Sequence, residues 1–443
     1  MAIQLSEHFT YKKLLRFLLP SIVMMIFTSI YGVVDGLFVS NYAGKTSFAA
    51  INLIMPVIMG ISALGFMMGT GGSALVAKTL GEGDKEKAND YFSMIVTSTI
   101  IGGIILSIIG EIFTPQLARM IGADETMIND SVTYGRVLFA LLTAFMLQNV
   151  FQSFLVTAEK PNLGLLVTVL AGLTNMVFDY LMVGVFRWEV MGAGIATAMS
   201  QIVGGIVPLI YFMRKNNSLL RIKKFKFDGM ALLKVCANGS SELMTNLSIS
   251  IVNMLYNFQL MKLAGKNGVA AYGTIMYVNF VFIAIFLGYS IGTAPIVGYH
   301  HGAGNTDELK NLFGKSLKLI GIFGVCLTVL AMFLSGTLSK IFVGYDEELF
   351  EMTSNAFRIY AISFLVCGFN IYASSFFTAL NNGIISAVIS FMRTLVFQIL
   401  AVLILPILFG LNGIWLSITV AEVLSLIVTI TFLVKNKEKY RYM

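Results

Sequence analysis

A chain of 443 residues that is 57% hydrophobic and only 12% charged carries about half the usual charge of a soluble protein, which is near 25%. Apolar runs recur along its whole length, which leaves no room for a large soluble domain, so the chain is expected to be an all-α integral membrane protein. The net charge of +7 does not point to nucleic acid, because the basic residues gather in particular loops, as they do on the inner side of multi-pass proteins.

Residues 1–19 carry Glu7, Lys12, Lys13 and Arg16 and run directly into a full-length apolar stretch, so they are not expected to be a signal peptide. A span needs about 20 residues. Runs of that length or more predict twelve spans, numbered 1–12, at 14–41, 48–78, 91–115, 131–157, 162–186, 190–213, 231–263, 269–300, 312–337, 353–379, 384–409 and 412–434. Several exceed the minimum and are expected to tilt or to project beyond the hydrocarbon.

Span 1 holds Asp35 at membrane depth, within Ser-Ile-Tyr-Gly-Val-Val-Asp-Gly-Leu-Phe-Val-Ser (29–40). A carboxylate there costs roughly 2.5–3.5 kcal/mol and is read by default as part of ion or substrate handling. Tyr31 lies one turn earlier on the same face. In span 2, Gly65-x-x-x-Gly69 predicts close packing against a neighbouring helix. The span ends in Gly81-Glu82-Gly83-Asp84, a glycine stop followed by an N-cap. Span 5 places Asn175 and the second acid, Asp179, four residues apart and therefore on one face. Span 6 carries Thr197 in Gly-Ala-Gly-Ile-Ala-Thr-Ala.

If spans 1, 5 and 6 converge, two carboxylates, an amide and a hydroxyl meet in an apolar bundle. Such a set offers hard oxygen ligands to Na⁺. It equally suits a proton, since two close carboxylates in low dielectric resist carrying charge together. The residues do not separate these two readings, and a third, a cluster that only ties helices together, stands beside them.

The basic stretch 214–226 follows span 6. Span 7 carries Glu242, read equally as a second cation site, a contact for a cationic substrate, or a satisfied polar residue near the helix start. Span 8 ends in Gly302-Ala303-Gly304-Asn305, and Asn305 with Glu308 has capping-box spacing. Arg393 in span 11 and Glu422 in span 12 are expected to pair across helices in a structural role. Cys236, Cys326 and Cys367 lie in apolar runs with neither metal-ligand nor disulfide spacing. His300 and His301 are adjacent and point apart on a helix, which argues against a metal site. The 25 Met and 35 Phe suit a cavity that accepts many apolar shapes, though ordinary packing accounts for most of them.

Enzyme signatures are missing. Gly44-Lys45-Thr46 and Gly314-Lys315-Ser316 lack the leading glycine of a nucleotide loop, having Val39 and Leu309 there. No enzyme, no nucleotide and no cofactor are expected.

The sequence repeats at an offset of 221 residues: Ala43-Gly44-Lys45 recurs as Ala264-Gly265-Lys266, Gly71 as Gly292, and Gly81-x-Gly83-Asp84 as Gly302-x-Gly304-Asn305. An even number of spans per copy keeps both copies in one orientation, related by an axis along the membrane normal. Two pseudo-symmetric six-helix lobes are predicted, 1–213 and 231–443, joined by a cytoplasmic linker at 214–230. Such a pair predicts a cavity between the lobes and alternating access. With the N-terminus inside, 21 of the 30 Lys and Arg fall on the inner side and 8 on the outer, so both termini are expected in the cytoplasm.

Pro20, Tyr31 and Asp35-Gly36-Leu37-Phe38-Val39-Ser40, with Asn175-x-x-x-Asp179, Thr197, Glu159-Lys160-Pro161 and the glycine turns after spans 2 and 8, resemble the multidrug and toxic compound extrusion (MATE) transporters. The N-lobe pattern is most similar to their DinF-like branch. The resemblance covers essentially the whole chain. It implies export of amphipathic, often cationic, small molecules by antiport with Na⁺ or H⁺. It implies a cation site at Asp35, Asp179, Asn175 and Thr197, shaped by Tyr31. Some members pair the span 7 Glu with an acid in span 10; Asn370 stands nearest that place here, which moves the expected site to the N-lobe. A lipid-linked precursor flippase of the same superfamily is the alternative. A prokaryotic cytoplasmic membrane and a monomer are expected.

Overall fold

The computed structural model describes residues 3–42 and 45–443. The first two residues of the Ala43-Gly44-Lys45 repeat unit lie outside the described residues. Among the described residues there is no strand. Nine helices among the described residues are long and apolar enough to cross a membrane, and up to 11 when each of two bent pairs is one span. The run Gly229–Gly302 is 74 residues long and is broken at Gly265, whose φ of 60° and ψ of −147° interrupt the helix. Only a residue without Cβ takes that conformation readily. Split there, the run is spans 7 and 8, and the total is twelve.

The remaining spans are Tyr11–Tyr42, Lys45–Gly81, Lys85–Met120, Pro161–Val185, Glu189–Met213, Thr306–Val343, Gly383–Phe409 and Leu411–Tyr440, with spans 4 and 10 as the bent pairs. Span 4 bends by 58° between Ile128–Ala140 and Leu142–Thr157, and span 10 by 50° between Glu347–Ala361 and Phe364–Ala379. At each bend the backbone shifts to tighter bonds, with Ala144 N–H donating to Leu141 O and Ser363 N–H to Tyr360 O. Neither bend contains Pro or Gly, so the apolar pattern alone read each as one straight span.

The two halves meet through paired glycines. A Cβ at Gly81 would lie 1.9 Å from Tyr299 O, and one at Gly302 would lie 1.9 Å from Lys78 O. Lys78 and Tyr299 are themselves one repeat apart, so each contact is the image of the other. Further along, Gly239 abuts Met67 O of span 2, and Gly288, one repeat beyond Met67, abuts Ser21 and Ile22 of span 1. At the opposite end Gly32, Gly265 and Gly273 have nothing within 4 Å of a built Cβ. The halves are thus pressed together at the end carrying the 81–84 and 302–305 turns.

Both turns behave as caps. Gly83 and Gly304 take positive φ, and Asp84 and Asn305 accept from Lys87 N–H and Glu308 N–H. The capping box at Asn305 is only half made. Glu308 does not reach back to Asn305; its carboxylate accepts from Phe9 N–H at 2.9 Å and lies 2.6 Å from His8 Nδ1. Leu5 N–H donates to Glu159 Oε1 at 2.6 Å. The N-terminal segment is therefore tied to both halves at their closed end. Residues 214–228 are not helical and run along span 3, with Arg221 N–H donating to Asn89 Oδ1 and Lys223 N–H to Ser93 Oγ.

Candidate functional site

Spans 1, 5 and 6 do converge. Gly172 on span 5 allows it: a Cβ there would fall 2.5 Å from Phe27 and 2.8 Å from Tyr31, so the bare backbone lets span 1 lie close. Asn175 Nδ2 donates to Asp35 Oδ1 at 3.3 Å. The Asp179 carboxylate and the Thr197 hydroxyl also lie against Asp35. Asp179 opens a π-helical segment, Asp179–Val185, that continues span 5. Such a segment widens the turn and appears often at functional sites. Span 6 fits over it at Gly192, where a Cβ would meet Met182 backbone at 3.0 Å.

Burial grades across the cluster. Asp179 is fully buried and Asn175 nearly so, whereas Asp35 is half-buried. Both oxygens of Asp179, Asn175 Oδ1 and Thr197 Oγ1 have no hydrogen-bond partner among the described residues. Four such oxygens side by side in an apolar bundle are costly unless a proton or a cation bridges them. Oxygens alone, with carboxylates among them, match the donor set of a hard monovalent cation or of a shared proton. Asp35 is the more exposed of the two acids and Asp179 the fully buried one.

Tyr31 turns its hydroxyl to Gln148 on span 4 rather than into the cluster. Its ring, under Gly172, forms the wall beside Asp35. Tyr134, on the first segment of span 4, was not singled out from sequence. It is 1% exposed and faces Thr197 and both carboxylates. The bend in span 4 brings it there, so no local pattern announces it.

Glu242, Arg393 and Glu422 lie in the second half. Arg393 Nε donates to both oxygens of Glu422, at 2.8 and 3.0 Å. Asn370 Nδ2 donates to Glu422 Oε2 at 2.7 Å, and Thr429 Oγ1 donates to Asn370 Oδ1 at 2.8 Å. Asn370 thus serves the ion pair and supplies no second acid. Glu242 is not brought to the N-half cluster; the charged side chain that acts on it is Arg393.

Twelve spans among the described residues, in two like halves closed at one end, with an acidic oxygen cluster inside the first half, define a multi-pass membrane protein. The chain belongs to the MatE family, whose model matches it twice, over residues 20–181 and 243–404. It is similar to the multidrug export protein MepA of Staphylococcus haemolyticus (strain JCSC1435), 24% identical over 420 residues, or 94% of this chain and 92% of that protein. MepA of Staphylococcus aureus (strain MSSA476) is 23% identical over 93% of this chain and 91% of its own length. Among solved structures, an outward-facing conformation of a multidrug resistance MATE family transporter of the MOP superfamily superposes with a TM-score of 0.93 at 24% identity, covering 99% of this chain and 98% of that one. A crystal structure of MATE in the straight conformation gives 0.92 at 24% identity, with the same coverage. The fold is shared with both.

Proposed function

We propose that this chain is a secondary active multidrug efflux transporter that exports amphipathic or cationic compounds by antiport with Na⁺ or H⁺. The observation that carries the reading is the set of orphaned oxygens at Asp179, Asn175 and Thr197 beside the half-buried Asp35. Membership of the MatE family and likeness to multidrug export proteins support the class of cargo. An acid, rather than a base, at the reachable end of the cluster favours cationic cargo over an anionic lipid-linked precursor.

In this reading the coupling cation is a substrate. It binds where the oxygens are unsatisfied and stabilises one arrangement of the two halves over the other. Only that difference in affinity does work. The distribution of Lys and Arg supports a cytoplasmic location for the termini and the closed end. The working unit is then a monomer in a prokaryotic cytoplasmic membrane.

Proteoliposomes loaded with tetraphenylphosphonium test this, with a Na⁺ gradient and a pH gradient imposed separately. Wild type exports under at least one gradient, which names the ion, and Asp35→Asn does not, although it reconstitutes equally. Full export by Asp35→Asn removes Asp35 from the mechanism.

A further inference from the structure

The second half holds a cavity of about 190 Å³, enclosed by spans 7, 8, 10, 11 and 12 and separate from the Asp35 cluster. A cavity of about 150 Å³ already holds benzene, so this one suits one or two fused rings. Its chemistry differs from that of the first half. One acid, Glu422, lines it, and that acid is otherwise engaged. Glu422 is 2% exposed and its oxygens are spent on Arg393 and Asn370. Glu242 is not among the residues that line the cavity and makes no ion pair with Arg393 within 4.0 Å. Arg393 and Glu422 both line the cavity, and Arg393 is the more exposed of the two, with 15% of its side chain accessible against 2%.

Arg393 uses its Nε on Glu422, and among the described residues neither terminal nitrogen has an acceptor. Those nitrogens are left to the cavity that Arg393 lines, where a ligand oxygen can accept from them. A planar fork suits a carboxylate best. The rest of the wall is mainly aliphatic with several polar groups, and it includes a cluster of tyrosines. Tyr256 and Tyr272 stack with ring centroids 5.0 Å apart and planes within 4°. Their hydroxyls are occupied, Tyr256 on Gln398 and Tyr272 on Asn253, so they offer the cavity carbon surface rather than donors. Tyr360 adds a third ring.

We propose that this cavity is a binding site for an aromatic carboxylate, its rings against Tyr256 and Tyr272 and its carboxylate on the free end of Arg393. The pre-existing Glu422–Asn370 arrangement orients the guanidinium and holds its charge in place before the ligand arrives. The site is argued from the second half alone and stands apart from the antiport reading; its test involves no gradient and no transport.

Calorimetric titration of the purified full chain in detergent uses three probes with one ring system: 2-naphthoate, 2-naphthamide and 2-naphthylmethylammonium. Wild type binds 2-naphthoate about tenfold tighter than the amide, the lower end of what a charge-assisted bond contributes, and binds the ammonium weakest. Arg393→Lys keeps an ion pair with Glu422 but loses the fork, and the preference falls to a few-fold. Arg393→Gln combined with Glu422→Gln removes both charges together, which spares the bundle an unpaired ion; the preference vanishes while amide affinity stays. Three results would overturn the proposal: no probe binding at all, amide or ammonium binding as tightly as 2-naphthoate, or the preference surviving in the double variant.

Discussion

Asp35 and Asp179 share a site but not an environment, and their substitutions separate accordingly. Asp179 is fully buried with both oxygens unpaired, so without a cation it is a liability to the fold. Asp179→Asn is expected to melt at or above wild type in choline chloride, while the rise in Tm that wild type shows with saturating Na⁺, or with protons, disappears. A ligand at a hundred times its Kd adds about 2.7 kcal/mol, which a thermal melt in NaCl against choline chloride reads easily. Outside the membrane, burial pushes the Glu159 carboxyl up, assisted by Glu7 and opposed by the Leu5 N–H, Lys160 and Lys85. A raised folded-state value makes protonation favour the folded state. That contribution is present below the ordinary value of 4.5 and is lost as pH rises through the raised one. Glu159→Gln, which still accepts from Leu5, should therefore equal or exceed wild type in Tm at pH 8. The gap should close as pH falls toward 4.5; a gap that widens on acidification contradicts the assignment.

Among the elements, the joints between halves are built from glycine and from the N-terminal segment. Gly239 has its would-be Cβ 1.9 Å from Met67 O, a backbone atom that cannot swing away. Gly239→Ala must part spans 2 and 7, at a cost of about 1–3 kcal/mol for overpacking. The closed end should open, seen as faster labelling of a cysteine placed at Ser240. Leu5 and Phe9 donate their N–H groups to Glu159 and Glu308, one on each half. Glu308→Ala should raise amide exchange at Phe9 about tenfold or more, since a bond to a charged acceptor contributes about 1.5–3 kcal/mol. Exchange at Leu5, held by the other half, should change less. An equal rise at both amides would show that the segment detaches as a unit.

For the molecule as a whole, legibility followed the range of the interaction that matters. The spans were legible because each is a local apolar run, and the break at Gly265 because a polar, glycine-containing step interrupts the run. The pairing of Arg393 with Glu422 was legible because two lone intramembrane charges of opposite sign have few other places to go. The bends in spans 4 and 10 were not, for want of any Pro or Gly, and with them went Tyr134. Glu308 fitted a capping box, yet a segment 299 residues away takes its carboxylate. The Asn175 and Asp179 spacing indicated a shared face, but the π-helical turn at Asp179 and its orphaned oxygens emerge only when span 6 lies against span 5.

The central claim is that the cation held at this cluster and the exported compound are linked through one conformational equilibrium. Linkage is reciprocal: if the cation weakens the compound's binding, the compound weakens the cation's by the same factor. The most direct measurement is tetraphenylphosphonium affinity of the purified chain, titrated against Na⁺ at pH 8 and against pH without Na⁺. The account predicts that wild-type affinity falls as one of the two cations rises, and that Asp35→Asn with Asp179→Asn binds with an affinity indifferent to both. A double variant whose affinity follows the cation as wild type does would place the coupling elsewhere and contradict the account.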